Sequence, residues 1–162
     1  PLRPGSLIPV EGRDVRLEWS QGAARTPSLS ETELICGGPA ESFARRVETF
    51  LKRRALDLLS LETAEFAAKA SVAVRAVSVG DASTRWGSCS AQGRIRYSWR
   101  LILAPPQARR FVVAHEVAHL RHLNHGVEFK ALETELFGGD VAAARDLLRL
   151  VGPRLKRIGR GG

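Results

Sequence analysis

Histidine is scarce in this sequence, with four among 162 residues, and cysteine scarcer, with two. Cys36 and Cys89 are too few for a disulfide framework, and a chain of this length can bury a sizeable core without one. Apolar runs are short. None approaches the ~20 residues that a membrane-spanning helix needs, and the opening "PLRPGSLIPV" lacks the long apolar segment of a secretory signal. These absences argue against a membrane protein or a disulfide-stapled secreted module and lead us to expect a reducing cytoplasm. Internal repeats and low-complexity linkers are also missing. One domain is therefore expected over residues 1–162, with N-terminal strands in 7–36 and a core in 39–162.

Negative charge is the next shortage: 17 Asp and Glu stand against 25 Lys and Arg, for a net charge of +8. The excess gathers in "ARRVETFLKRRA", "GRIRYSWR", "QARR" and the tail "RLKRIGRGG". Such clusters attract nucleic acid, nucleotides or acidic peptides, and they also serve as a plain solvated surface. Composition leaves both readings open. A monomer without membrane attachment is expected.

What is present has regular periodicity. "VRLEW" (Val15 to Trp19) alternates as a strand does, and "ELIC" (Glu33 to Cys36) ends at a glycine pair. Pro39 is expected to open a helix in which Phe43, Val47, Phe50, Leu51 and Leu58 recur at helical spacing, with Ser60 capping a second short helix through Lys69. "VAVRAVSVG" reads as a strand, and Gln92–Gly93 as the turn of a hairpin whose second arm runs to Pro105. Pro106 suits the first position of the next helix. "VEFKALETELF" then reads as a helix ending at Gly138. Asp140 caps a last one, striped by Val141, Ala144, Leu148 and Val151 and stopping at Gly152 and Pro153.

All four histidines fall within "VVAHEVAHLRHLNH", Val112 to His125. His115 and His119 are four apart, so on a helix their imidazoles stand one turn apart on one face and can meet one cation. Glu116 sits at the rim of that face, where its carboxylate reaches a water beside the ion. This is the HExxH arrangement, whose mechanics suit Zn²⁺ with a glutamate as general base. His122 lies about 10 Å along the axis from His115, too far for easy coordination with both. His125 is better placed, because Asn124 tolerates the left-handed backbone and Gly126 adds freedom, so the chain can turn back. Glu128, Glu133 and Glu135 are rival third ligands. Three protein ligands would leave one position for water, the catalytic arrangement. His122 can then donate to an oxyanion, or stand as an ordinary polar residue.

Together, "RWGSCS" (Arg85 to Ser90) and "RLILAPP…VVAHEVAHLRHLNHGVEF" resemble the YgjP-like metallopeptidase family, close to minigluzincins and SprT-like domains. The close likeness covers Thr84 to Phe129. It implies an α+β zincin-like domain: N-terminal strands and a helix, a short antiparallel or mixed sheet, an HExxH helix and C-terminal helices. It also implies metal positions at His115, His119 and His125 and a catalytic carboxylate at Glu116. Gly126 stands where that family commonly has Ser, Lys130 where it has Trp, and Ser98 where it has Asn. For the RWGSC stretch two readings stand: a strand edge lining a cleft, with Arg85 offered to an anionic group, or core packing by Trp86 and Cys89 around Gly87.

The expected function is a zinc-dependent hydrolase acting on peptide bonds, with Glu116 activating the water. Two alternatives are a metal-dependent nucleotide phosphohydrolase, suggested by the arginines around Tyr97 and the helix start, and a nucleic-acid-associated SprT-like module. Arg85, Tyr97 and His122 are the candidate substrate contacts.

Overall fold

A computed structural model describes residues 1–160 of the chain, so the last two glycines of the basic tail lie outside the described residues. The fold is α+β, with two small mixed sheets and four helices. Strands β1 (Leu7–Val10), β2 (Arg13–Trp19), β3 (Ser28–Leu29) and β4 (Glu33–Cys36) form a sheet in the order β1-β2-β4-β3, with β2 parallel to β4. The second sheet has the order β5-β7-β6, from β5 (Ala76–Gly80), β6 (Gly87–Cys89) and β7 (Arg94–Ser98). In it β5 runs parallel to β7, and β6 pairs antiparallel with β7 as the expected hairpin. Its second arm is shorter than expected, since Trp99–Ile102 leaves the strand as a 3-10 turn. Ser98 caps that turn by accepting a hydrogen bond from the Arg100 backbone N–H, a task to which Asn is equally suited.

Helix α1 (Phe43–Ala70) is one unbroken helix of 28 residues, so the break expected at Ser60 is absent. The reason is the buried stripe. Val47, Leu51, Ala55 and Leu59 continue into Thr63, Phe66 and Ala70 with neither Gly nor Pro to interrupt them. The helix also begins later than Pro39, after a 3-10 turn over Ala40–Ser42. Helix α2 (Pro106–His119) starts at the expected proline and buries Val113, Ala114, Val117 and Ala118 against the core. Helix α3 (Val127–Phe137) ends on Gly138 in left-handed backbone. Asp140 then caps α4 (Val141–Arg157) by accepting from the Ala143 N–H. That last helix runs past Pro153, which was expected to stop it. Pro153 is exposed, and Leu155 beyond it is buried in the core, so packing outweighs the one missing backbone bond.

Two devices fix α2. The turn between β1 and β2 places Glu11 and Gly12 in left-handed backbone, and their N–H groups donate to the carbonyls of Ile102 and Leu103, just ahead of the helix. On the other side, Arg109 makes a two-pronged ion pair with Glu62 of α1 at 2.8 and 3.0 Å, both side chains only 5% exposed. The "QARR" and "SWR" arginines are therefore internal struts. Arg110 joins Glu62 and Glu65, and Arg100 pairs with Asp81 while donating to the Ile158 carbonyl.

Candidate metal centre

Helix α2 delivers His115 and His119 to one face, as the four-residue spacing requires, and residues 120–126 bring His125 to meet them. One donor atom of each imidazole lies within 4.8 Å of those of the other two. His119 and His125 face one another Nε2 to Nε2 at 2.7 Å. The chain does not turn as expected, however. The only non-glycine residues with left-handed backbone among those described are Glu11 and Ser71, and Gly126 has φ −81°, so neither Asn124 nor Gly126 supplies a left-handed corner. Instead the helix unwinds through overlapping turns, with the N–H groups of Arg121 and His122 donating to the Ala118 carbonyl.

That unwinding carries His122 off the helix face. Its Nδ1 lies 3.6 Å from Glu128, in a separate hollow beside Asn124 and Val127, away from the other three histidines. Of the rival carboxylates, Glu128 faces His122 and Glu135 is exposed. Glu133 takes a different place: buried on α3, it accepts a hydrogen bond from His115 Nδ1 at 2.6 Å. A carboxylate there holds the proton on Nδ1 and leaves the Nε2 lone pair free, the support that metal-bound histidines commonly have. Phe129 packs against all three rings, with centroid distances of 5.1, 4.7 and 4.6 Å to His115, His119 and His125. Burial, together with the neighbouring His115 and His125, lowers the pKa of His119 and favours the neutral, lone-pair-bearing imidazole.

Glu116 is buried beside this cluster. Desolvation pushes its pKa up, while the neighbouring His115 and Arg85 pull it partway back. Gly87 explains how the carboxylate is seated. A Cβ there would come 2.9 Å from Glu116 Oε2, so the glycine lets β6 lie against the carboxyl group, which any side chain at this position would displace. Sequence reasoning did not connect the two motifs in this way, and spacing alone carries no signal for it.

The RWGSC stretch divides between its two readings. Arg85, Gly87, Ser88 and Cys89, with Ser90 and Ala91, wall a cleft of about 690 Å³ that also exposes His115, Glu116 and His119. Burial, then the Glu116 charge, raises the Cys89 thiol to about 11. Trp86 is structural: it packs against Gly152 of α4 and sits 5.0 Å below the Lys156 ammonium. Tyr97 is not a wall of the cleft. It is 1% exposed and its hydroxyl shares a 2.8 Å hydrogen bond with Thr63, because β7 is the middle strand and turns Tyr97 into the core.

Two mixed sheets, a long packing helix and a helix carrying a histidine cluster beside a cleft define a small zincin-like α+β domain. The sequence profile of one family, described as "YgjP-like, metallopeptidase domain", matches residues 1–149. The chain belongs to that family. Membership supports a metal-dependent hydrolase of the peptidase kind. No curated protein and no solved structure matches the chain. Among the described residues, no helix is long and apolar enough to cross a membrane.

Proposed function

We propose that this protein is a zinc peptidase in which His115, His119 and His125 hold the metal and Glu116 is the general base. The observation that carries the reading is the convergence of three imidazole nitrogens beside a buried carboxyl group in one cleft. The donor set fits zinc: all three are nitrogens, His115 has its tautomer set by Glu133, and Phe129 holds the rings together. Zinc in such a site supplies Lewis acidity and makes water ionisable near neutral pH.

The chain's own residues do the rest. Glu116, its pKa raised by burial, takes a proton from the attacking water at a carboxylate oxygen and later returns it to the leaving amine. Gly87 keeps that carboxylate in register. Strand β6 is the outer strand of its sheet, so an extended peptide can pair with its free backbone edge and pass the histidines. For the phosphohydrolase alternative, Arg100, Arg109 and Arg110 are tied up in ion pairs, which leaves Arg85 as the cationic side chain of the cleft.

The test is cleavage of a peptide library by zinc-loaded protein, with Glu116→Gln as partner and nucleoside triphosphates assayed alongside. Glu116→Gln is expected to keep one zinc per chain and lose at least ~10²-fold in kcat. Full activity in that variant removes Glu116 as the base. Triphosphate cleavage without peptide cleavage overturns the peptidase reading.

A further inference from the structure

Residues 71–115 hold seven arginines and a single acidic residue, Asp81. Asp81 pairs with Arg100, and Arg109 and Arg110 are neutralised by Glu62 and Glu65 of α1. Of the remaining four, Arg85 stands in the cleft with Glu116, while Arg75, Arg94 and Arg96 make no ion pair among the described residues. All four lie on or beside the three-stranded sheet, whose strands "AVSVG", "GSC" and "RIRYS" contain no acidic residue. The basic run of α1 is different, since Lys52, Arg53 and Arg54 pair with Glu48, Asp57 and Glu11. Unpaired arginines therefore gather at this sheet, whose strands carry no acid to offset them.

Arg94 and Arg96 alternate with the buried Ile95 and Tyr97, so both project from the solvent face of the middle strand. Arg96 is held in place. Its Nη1 donates to Ser78 Oγ at 3.3 Å, and its guanidinium lies over Gly80, where a Cβ would come within 2.3 Å of it. A glycine and a hydroxyl thus position a guanidinium that no acid neutralises. Such a group lacks an anion.

We propose that this sheet face docks the phosphodiester backbone of a nucleic acid. Two strand residues of rise set Arg94 and Arg96 about 7 Å apart, on the scale of a phosphodiester repeat, and planar guanidinium groups suit phosphate oxygens. The sole aromatic on these strands, Tyr97, is buried, so bases have nothing to stack on and the contact reads charge rather than sequence. No large exposed apolar side chain lies on these strands, which a membrane-inserting surface would need. This surface is independent of the peptidase reading.

The experiment is fluorescence anisotropy of a labelled oligo-dT with the intact protein at 50 and 200 mM salt (about a fourfold step). The expected result is binding at low salt that weakens as salt rises. Arg94→Gln/Arg96→Gln should bind at least ~10-fold more weakly, with the log–log salt slope shallower by about 1.4, two single-strand phosphate contacts. Arg94→Lys/Arg96→Lys keeps the charge and should restore most of the binding, while Arg45→Gln/Arg53→Gln on α1 should leave it near wild type. The proposal is overturned by no binding at low salt, by an unchanged Gln pair, or by an equal loss from the α1 pair. Tighter binding to phosphatidylserine vesicles, lost in the same Gln pair, would assign the face to a lipid surface instead.

Discussion

Gly87 shows how one missing side chain can position another residue's chemistry. Its Cα lies so close to Glu116 that a methyl group would meet the carboxylate oxygen at 2.9 Å. In Gly87→Ala the carboxylate must move, and small displacements of a catalytic group cost up to ~10²-fold in rate. We expect kcat to fall roughly 10- to 100-fold with zinc content and thermal stability near wild type. Loss of zinc in that variant would mean that the glycine serves the metal rather than the base. Cys89, on the same strand, gives a pH signature. With its thiol raised to about 11, the thiolate is some thousandfold in the minority at pH 8, and alkylation should accelerate about tenfold per pH unit up to that point. Iodoacetamide labelling of metal-stripped protein, located by mass spectrometry, tests this. Rapid labelling of Cys89 at pH 8 would place the thiol in a far more polar setting than its burial beside Glu116 implies.

At the level of the element, legibility followed periodicity. The HExxH helix, its Pro106 start, the hairpin turn at Gln92–Gly93 and the Asp140 cap were all readable, because each depends on a residue and its near neighbours in sequence. What failed depended on partners far along the chain. Ser60 has the chemistry of a cap, yet Leu59, Thr63 and Phe66 are buried by other elements and carry the helix straight through it. Arg109 looked like surface charge and is instead paired, buried, with a residue 47 positions away. That pair fixes the histidine-bearing helix to α1, and removing one partner of a buried ion pair typically costs about 3–5 kcal/mol. Glu62→Leu should lose about that much in urea unfolding, whereas Glu62→Leu/Arg109→Met should recover part of it by leaving no buried charge. Simple additivity of the two single variants would show that the bond holds nothing together.

For the molecule as a whole, the histidine cluster joins two parts of unequal solidity. His115 and His119 belong to a helix packed into the core, but residues 120–126 contain no buried side chain, and Leu123 within them is 81% exposed. Beyond Leu120, which packs against the edge of the core, apolar packing does not hold that segment, so a metal bridging His125 to the helix would be its main tether. A ligand that binds only the folded state at 100 to 1,000 times its Kd adds about 2.7–4.1 kcal/mol, and in a domain of this size each kcal/mol moves Tm by about 2–4 °C. Stripping zinc with a chelator should therefore lower Tm by roughly 5–15 °C, and restoring it should reverse the change. His125→Ala should begin near the stripped value and respond weakly to added zinc, since the remaining two imidazoles leave the segment free. A wild-type Tm indifferent to chelator would mean that the three nitrogens meet for some reason other than an ion. The peptidase reading would then lose the metal it rests on, while Arg94 and Arg96, which lie on the middle strand outside the cleft, would keep their own case.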